Sequence, residues 1–331
     1  MRITKPSQVA SKALVGHQDQ VTCSKFAAEN ILSGSLDKTV RLWRSVLYEA
    51  ESEVICTHPE GVFSLNRTSQ GEKVISGSIG GDIYLQDLEY RKFLAKLNVA
   101  SSVVDLDIED NGNIFIATVL ASPEVLMWDL RCGLDPVRIG GVHGRAVIAC
   151  RILHGEDRIV TTSLDKTVRV YDLRSKETSL TLRYHNNAVS CVDFSLGRRL
   201  LVTGSWDREL LLFDLHTGTY RTEGPLALRG GHVGCVKCCA ISADGCRVIS
   251  GGMEPDIAVW STVSGSKLTT LEGHRGEVNS VSLRSDDQVA LSASSDKTLR
   301  LWSMQKVVEG VAYTDEEPTH KAVARTKVSC V

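Results

Sequence analysis

The stretch at residues 273–302, GHRGEVNSVSLRSDDQVALSASSDKTLRLW, contains three short runs in which apolar and polar residues alternate. A turn signal around Ser295-Asp296-Lys297 separates the last two runs. Alternation with a period of two residues places one face of each run against a core. The stretch therefore predicts three short antiparallel β-strands that end at Trp302.

The same pattern recurs six more times along the chain. The residues that align with Trp302 recur every 42 to 47 residues and are Trp260, Phe213, Tyr171, Trp128, Gln86 and Trp43. A histidine stands 26 or 28 residues before six of the seven anchors, and Ala100 takes this place in the third copy. A period of roughly 40–45 residues with Gly-His and Trp-Asp pairs indicates the blades of a propeller. A single repeat cannot bury its own apolar face, so stability must come from neighbouring blades in a closed ring.

On these residues the chain resembles the WD40 family over nearly all of its length. The resemblance implies an all-β fold, a seven-bladed β-propeller with four-stranded antiparallel blades over residues 11–306. It also implies that an N-terminal strand, with residues 11–15 as the candidate, completes the last blade. We expect residues 1–10 to form a flexible lead and residues 307–331 a mobile tail. The tail ends in Ser329-Cys330-Val331, a match to PDZ-domain ligands that is too short to be distinguished from chance.

Four copies contain a histidine, a hydroxyl residue and an aspartate at fixed positions. The sets are His17, Ser33, Asp37 and Trp43; His143, Thr161, Asp165 and Tyr171; His185, Thr203 and Asp207, followed by Phe213; and His274, Ser292, Asp296 and Trp302. A catalytic triad is needed once and requires an exposed nucleophile beside an oxyanion site. The resemblance instead implies hydrogen bonds inside each blade, in which the carboxylate orients the imidazole and the hydroxyl links it to the indole. We therefore predict no enzyme activity, no catalytic residues and no cofactor.

The other three copies depart from this pattern. Counting from the anchors places Gly80 and Gln86 at the Asp and Trp positions of copy two, and Ala100 and Ser122 at the His and Asp positions of copy three. In copy six, Glu254 replaces the aspartate. These blades are expected to lose part of the internal network.

Composition narrows the class of protein. The formal net charge is −2 and the charged residues are mixed along the chain, so no basic face indicates a nucleic-acid partner. No apolar window reaches the length of a membrane span, and we expect a soluble, intracellular and cytoplasmic protein, with the nucleus left open and no membrane partner. Among ten cysteines, Cys235-x-x-Cys238 could form half of a redox or zinc site. The recurrence of cysteine at one position of the repeat favours buried structural thiols, and we predict no metal site.

Propellers of this family usually bind peptides over the mouth where the loops before the first and third strands emerge. The resemblance points to the residues three and five positions after each histidine and to the residue before each aspartate. In this chain they are Gln20, Thr22, Leu36, Phe63, Ile79, Asp105, Ile148, Leu164, Ser190, Trp206, Lys237, Met253, Glu277 and Asn279. Lys237 is the only cation in this set, and Asp105 and Glu277 would repel phosphate, which favours a neutral or basic peptide. Trp206 is the predicted hot spot, with packing against a neighbouring blade as the alternative.

Two further features could bind partners. The interval at residues 215–231 is longer than in other copies and predicts either a binding loop or a tolerated surface insertion. On the opposite side, Trp128-Asp129-Leu130-Arg131 and Tyr171-Asp172-Leu173-Arg174 resemble the W/Y-D-x-R element of substrate receptors for cullin-based ubiquitin ligases. The candidate adaptor-binding residues are Asp129, Arg131, Asp172 and Arg174.

The sequence thus predicts a non-catalytic interaction scaffold that binds proteins or peptides and is monomeric within a larger complex. The alternative is a ubiquitin-ligase receptor that binds a cullin adaptor through the two Arg turns.

Overall fold

The computed structural model describes residues 11–44, 51–215, 217–218 and 224–304. These residues form β-strands joined by turns, and no helix of the described chain is long and apolar enough to cross a membrane. The expected lead at residues 1–10 and the expected tail at residues 307–331, with Ser329-Cys330-Val331, lie outside the described residues.

The strands form seven four-stranded antiparallel sheets, which we number as blades one to seven in chain order. Blade one contains β2 (Val21–Ala27), β3 (Asn30–Ser35), β4 (Thr39–Arg44) and β5 (Glu51–Thr57); blade two β6 (Val62–Arg67), β7 (Lys73–Ser78), β8 (Asp82–Asp87) and β9 (Lys92–Asn98); and blade three β10 (Val103–Ile108), β11 (Ile114–Val119), β12 (Val125–Asp129) and β13 (Val137–Ile139). Blade four contains β14 (Val147–Leu153), β15 (Arg158–Ser163), β16 (Val168–Asp172) and β17 (Glu177–Leu182); blade five β18 (Val189–Ser195), β19 (Leu200–Ser205), β20 (Leu210–Asp214) and β21 (Leu226–Leu228); and blade six β22 (Val236–Ile241), β23 (Arg247–Gly252), β24 (Ile257–Ser261) and β25 (Lys267–Leu271). Blade seven contains β26 (Val278–Leu283), β27 (Val289–Ser294), β28 (Thr298–Ser303) and β1 (Ser11–Val15).

The ring is closed by β1, as the sequence predicts. This strand pairs antiparallel with β28, from Ser11 opposite Trp302 to Val15 opposite Thr298. Leu14 is the apolar anchor of β1 and is buried. Because β1 and blade seven come from opposite ends of the propeller sequence, their pairing covers the edge that an open ring would expose.

Neighbouring blades meet along their inner strands, the first strand of each blade. A buried cluster that includes Val202, Leu212, Val236 and Trp260 spans blades five and six. Close contact at this junction depends on Gly204, where an added Cβ would lie 2.7 Å from Val236 Cγ1 and 2.6 Å from Cys191 Sγ. The core therefore lies between blades, and the inner strands surround a central channel.

Candidate functional site

The histidine networks lie inside the blades. In blade one, His17 Nδ1 lies 2.8 Å from Asp37 Oδ2, and His17 Nε2 lies 2.7 Å from Ser33 Oγ. The indole N–H of Trp43 donates to the same Ser33 oxygen at 2.8 Å. The carboxylate places the imidazole proton on Nδ1, so the serine hydroxyl donates to Nε2 and accepts from the indole. The hydroxyl is thus buried and fully engaged, which suits a structural link rather than a nucleophile.

The same chain of contacts recurs in blade seven, where His274 lies 2.8 Å from Asp296 and 2.7 Å from Ser292. Burial lowers the pKa of His274, and the carboxylate only partly offsets this effect. Burial also raises the pKa of Asp296, but hydrogen bonds from Thr298, the Arg275 amide and His274 lower it more, to about 2. The network of blade seven at neutral pH therefore contains a neutral imidazole and an ionised carboxylate.

A threonine two residues after the aspartate belongs to the network and is missed by the sequence analysis. Thr39, Thr167 and Thr298 each donate from Oγ1 to the aspartate two positions before at 2.6 Å. The recurring Asp-Lys-Thr tripeptide is the sequence signal that could have identified them. By satisfying the second carboxylate oxygen, the threonine fixes the turn before the third strand.

Blades four and five keep the His–Asp and His–Thr contacts but lack the aromatic donor. His143 and His185 each lie 2.9 Å from their aspartates, Asp165 and Asp207, and 2.8 and 2.9 Å from their threonine hydroxyls. Tyr171 does not join the network of blade four, contrary to the expected set. Its hydroxyl is at the far end of the ring, away from the position of an indole N–H, and Thr161 instead lies 3.4 Å from the Arg169 carbonyl.

Blade two replaces the carboxylate by aromatic stacking. His58 Nε2 lies 2.8 Å from Ser76 Oγ, while His58 Nδ1 is buried without a partner among the described residues. The Tyr84 ring stacks on the imidazole, with centroids 4.1 Å apart. Gln86, at the Trp position, donates to the Ile55 carbonyl at 3.4 Å. Burial lowers the pKa of His58 to about 4.

In blade three the His position is occupied by Val99, and the assignment of Ala100 is wrong. In the other blades the inner strand begins with a valine four residues after the histidine, as Val62 follows His58. In blade three this valine is Val103. The Val99 amide donates to the Gly81 carbonyl at 3.0 Å, just as the His58 amide donates to the Lys38 carbonyl at 2.9 Å.

The Asp position of blade three is likewise occupied by Ala121 rather than Ser122. The turn between β11 and β12 contains one extra residue, so counting back from Trp128 shifts each earlier position by one. With neither histidine nor hydroxyl available, the Trp128 indole donates to the Leu134 carbonyl at 3.1 Å. Its ring stacks on Phe115, with centroids 4.9 Å apart.

Blade six retains a complete network with a longer acid. His232 lies 2.7 Å from Ser250 Oγ and 3.4 Å from Glu254 Oε2, and the Trp260 indole donates to Ser250 at 2.8 Å. The second Glu254 oxygen accepts the backbone N–H of Val233 at 2.6 Å. Glutamate therefore replaces aspartate without loss of the carboxylate contact.

A cavity of about 640 Å³ opens at the centre of the ring. Eleven of the candidate mouth residues line it: Gln20, Thr22, Leu36, Phe63, Asp105, Ile148, Leu164, Ser190, Trp206, Lys237 and Asn279. Ile79, Met253 and Glu277 are not part of the lining, although Ile79 and Met253 are exposed. The cavity extends inward to Lys25 and Arg151 on the inner strands.

Large apolar side chains are exposed around this cavity. Phe63 is 45% exposed and Trp206 is 43% exposed. Leu120, which the sequence analysis missed, is 61% exposed and lines the cavity with Ala121. Its amide donates to the Ser102 carbonyl at 2.8 Å, which makes Leu120 the blade-three counterpart of Leu36. In the sequence, Leu120 could have been identified as the apolar residue directly after β11. Counting back from Trp128 missed it because the turn contains one extra residue.

The charges at the mouth are paired within the protein. Lys237 forms an ion pair with Glu277 and lies 3.4 Å from Asn279 Oδ1. Asp105 accepts from Arg151 at 2.7 Å and from the Cys150 amide at 3.1 Å. The repulsion of anions expected from Asp105 and Glu277 is therefore largely neutralised.

Most cysteines of the described chain are buried thiols. Burial raises the pKa of Cys23 to about 12 and of Cys56 to about 11, and it also raises the pKa of Cys238. Nine cysteines of the described chain are free, and no group of three or more metal-ligating side chains is present within it. Cys235 is partly exposed while Cys238 is buried, so this pair does not form a shared surface site.

The two Arg turns on the opposite side differ in geometry. Arg131 folds back on Asp129, with contacts of 2.8 and 2.7 Å to its two carboxylate oxygens. Arg174 pairs with Asp157 and is 83% exposed along its side chain. A pocket of about 340 Å³ contains Asp172 and Arg174 together with Arg199 of blade five, and Arg131 is not among its lining residues. The structure therefore does not gather the four candidate adaptor-binding residues in one pocket.

The interval at residues 215–231 is described only in part. It contributes β21, whose three residues pair with β20 from Leu212 opposite Leu226 to Leu210 opposite Leu228. Residues 216 and 219–223 lie outside the described chain.

Seven blades around an open channel, held internally by buried histidine networks, define a propeller of the class that typically serves as a protein-interaction platform. The model of the WD40 family, described as WD domain, G-beta repeat, matches residues 8–44, 135–172, 176–214, 224–261 and 265–303. The chain therefore belongs to the WD40 family, whose members are generally non-catalytic. Blade two and the first three strands of blade three, which lack the standard network, fall outside the matched segments.

Relatives and a solved structure agree with this assignment. The chain is 32% identical over 124 residues to p21-activated protein kinase-interacting protein 1-like from Danio rerio, covering 38% of this chain and 32% of the relative. It is 25% identical over 207 residues to small ribosomal subunit protein RACK1y from Oryza sativa subsp. japonica, covering 44% and 62%. Nuclear distribution protein nudF from Aspergillus niger is 22% identical over 315 residues, covering 88% and 60%. The chain thus spans about a third to three-fifths of the length of these relatives.

The WD40 β-propeller domain of Doa1 is similar in structure, with a TM-score of 0.76. The two chains are 22% identical, and the match covers 90% of this chain and 97% of the Doa1 chain. At this level of identity the likeness shows the shared propeller fold.

Proposed function

We propose that this protein is a non-catalytic scaffold that binds a peptide segment of a partner protein over the channel mouth. The observation that carries the proposal is the cavity of about 640 Å³ with exposed apolar side chains at its rim. The name of one relative, p21-activated protein kinase-interacting protein 1-like, describes a protein-binding role and supports the proposal.

The rim offers anchors on different sides of the ring. Phe63 belongs to blade two, Leu120 to blade three and Trp206 to blade five, and all three line the same cavity. None of these side chains belongs to a blade network, so their exposure has no structural purpose inside a blade. Aromatic residues next to a cavity are typical hot spots, because a partner side chain that covers them is fully desolvated.

The test is binding by a variant that carries Trp206→Ala and Phe63→Ala together. Peptides are first selected on the wild-type protein from a display library of random linear sequences, and their affinities are measured by titration. Loss of two hot-spot side chains at about 2 kcal/mol each, about 4 kcal/mol together, is expected to weaken binding roughly 1000-fold. Tyr90→Ala is the matched control, because Tyr90 is an exposed aromatic residue outside the cavity lining. Equal affinity of the double variant and the wild type would reject the mouth as the binding site.

The ubiquitin-ligase alternative requires the two Arg turns to contact an adaptor. Arg131 and Arg174 are exposed, but each already forms an ion pair with a carboxylate of its own blade. A partner would have to replace these contacts, and exposed ion pairs are weak enough for this exchange.

The prediction of this alternative is loss of the adaptor from the Arg131→Ala, Arg174→Ala variant, measured by co-purification with the purified cullin adaptor. Arg138→Ala is the control, since Arg138 is an equally exposed arginine of an ion pair with Glu124. If the wild type does not retain the adaptor, or the double variant retains it fully, the receptor role through these turns is excluded.

A further inference from the structure

The inner strands place one residue from each blade at the same level of the channel. These seven residues each follow the first valine of their inner strand by four positions, and we refer to them as the channel belt: Lys25, Asn66, Asp107, Arg151, Asp193, Ala240 and Ser282. Two of them, Lys25 and Arg151, line the cavity that opens at the mouth. The two cations of the belt are therefore reachable from the face where the peptide is proposed to dock.

The carboxylates of the belt have hydrogen-bond donors within the protein. Asp107 accepts from Asn66 Nδ2 and from the Ile152 amide, both at 2.6 Å. Asp193 accepts from the Ile241 amide at 2.9 Å. In each case the donor belongs to a neighbouring blade, so these acids join blades as well as balance charge.

The two cations of the belt, Arg151 and Lys25, differ in their ion pairs and in the charges of their neighbours. Arg151 contacts Asp105 at 2.7 Å and lies between two acidic blades, since its belt neighbours are Asp107 and Asp193. The ammonium group of Lys25 makes no hydrogen bond or ion pair with the described part of the chain. Its belt neighbours are Asn66 and Ser282, which are neutral, so no adjacent carboxylate compensates its charge.

A second polar group near this side of the channel also lacks a partner. The hydroxyl of Ser282, in the blade next to Lys25 in the closed ring, is buried without a hydrogen bond among the described residues. Burial and then the charge of Arg151 lower the pKa of Lys25, while the charges of Asp193, Asp107 and Asp105 only partly offset these effects. A partly desolvated cation without a close counter-ion is costly, and a ligand that supplies an anion would relieve this cost.

We propose that the Lys25 side of the channel binds the carboxylate of an acidic side chain on the docked peptide. This inference rests on the proposed function, because the peptide backbone must first lie over the mouth. Lys25 follows the mouth residue Thr22 by three positions, about 10 Å along a strand. The same cavity is lined by Phe63 and Trp206 at the rim and by Lys25 within. An acidic side chain that extends inward from the docked peptide can therefore meet the side chain of Lys25 inside the cavity.

The charge of the belt selects a singly charged group over a phosphate. Asp107 and Asp193 of the belt lie around the same channel, and their repulsion grows with the charge of the ligand. A carboxylate gains the charge-assisted hydrogen bond to Lys25 at half the repulsion that a dianion would meet.

The experiment uses peptides selected on the full wild-type chain from a display library of random linear sequences. For each peptide, every Glu or Asp is changed singly to Gln or Asn, and affinities are measured for wild type and for Lys25→Met. One acidic position is expected to lose about 10-fold or more in affinity for the wild type when its charge is removed, as for a hydrogen bond between charged groups. The same change should leave the affinity for Lys25→Met nearly unaltered, because the partner of the carboxylate is absent.

Lys166→Met is the matched control, since Lys166 is exposed and does not line the cavity. Thermal unfolding confirms the fold of each variant, and Lys25→Gln replaces Lys25→Met if the latter does not fold. Peptides that need Trp206 and Phe63 but show no coupling between an acidic position and Lys25 would overturn this inference and leave the proposed function intact. Failure to select any peptide that depends on the mouth would overturn both. Tighter binding of phosphoserine at the coupled position, together with competition by inorganic phosphate, would overturn the assignment to a carboxylate.

Discussion

Replacement of Trp302 by alanine is expected to lower the free energy of unfolding by about 3–5 kcal/mol, the usual cost of truncating a buried tryptophan. Trp302 is buried in the cluster that includes Leu271 and Val281, and its indole donates to Ser292 at 2.9 Å. The backbone of Trp302 also lies opposite Ser11 at the ring closure. Loss of the side chain therefore leaves a cavity beside the strand pair that closes the propeller.

Trp302→Phe separates packing from hydrogen bonding. Phenylalanine occupies the equivalent position of blade five as Phe213, where it is buried. This variant should lose about 1 kcal/mol for the missing hydrogen bond, plus a smaller packing cost. Denaturant unfolding of the full chain, followed by circular dichroism and tryptophan fluorescence, compares the free energies of unfolding of the two variants. Equal destabilisation by alanine and phenylalanine would show that the indole N–H, rather than the ring volume, supports this blade.

Acidification is expected to destabilise the protein as the pH falls below about 6.5, because the buried histidines must bind protons. Burial lowers the pKa of His58 from 6.5 to about 4. Its folded-state pKa is below the unfolded value, so its contribution is complete above pH 6.5 and is lost as the pH falls toward 4. This single group accounts for roughly 3 kcal/mol. His17, His143, His232 and His274 shift in the same direction and add to the effect.

The aspartates of the networks act in a separate, more acidic window. The pKa values of Asp37, Asp165, Asp207 and Asp296 fall from 3.8 to about 2, so their contribution is present above pH 3.8 and is lost below it. Urea unfolding at a series of pH values measures the profile, and His58→Gln should reduce the loss between neutral pH and pH 4. A wild-type stability that stays constant over this interval would contradict the burial of neutral imidazoles.

The repeat made much of the fold and of the blade networks predictable. Each blade has the same local alternation of apolar and polar residues, and its His, Ser and Asp recur at nearly constant spacing. Because hydrogen bonds such as His274–Asp296 form within one blade, the spacing of residues along the chain is enough to pair them. The pairing of residues 11–15 with β28 was also predictable, since a ring needs one strand to close it.

In blade three the spacing of residues along the chain predicts the wrong positions. One extra residue in the turn after β11 moved the expected positions to Ala100 and Ser122, and Leu120 was missed at the mouth. A single residue is enough because successive side chains of a strand point to opposite faces. The prediction that Tyr171 joins the network of blade four was wrong for another reason. Its ring occupies the Trp position, but a phenol and an indole place their donors at different points.

The sequence by itself determined the seven blades, the ring closure and the internal histidine networks, because all of these depend on local alternation and on short, repeated spacings. Only the tertiary structure decided which side chains meet across blades, as in the pairing of Arg151 with Asp105 and of Lys237 with Glu277. It also decided that Lys25 has no counter-ion among the described residues. These contacts join residues about 40 or more positions apart and depend on the register between neighbouring inner strands. Ring closure sets that register, and with it the channel in which a partner would be bound.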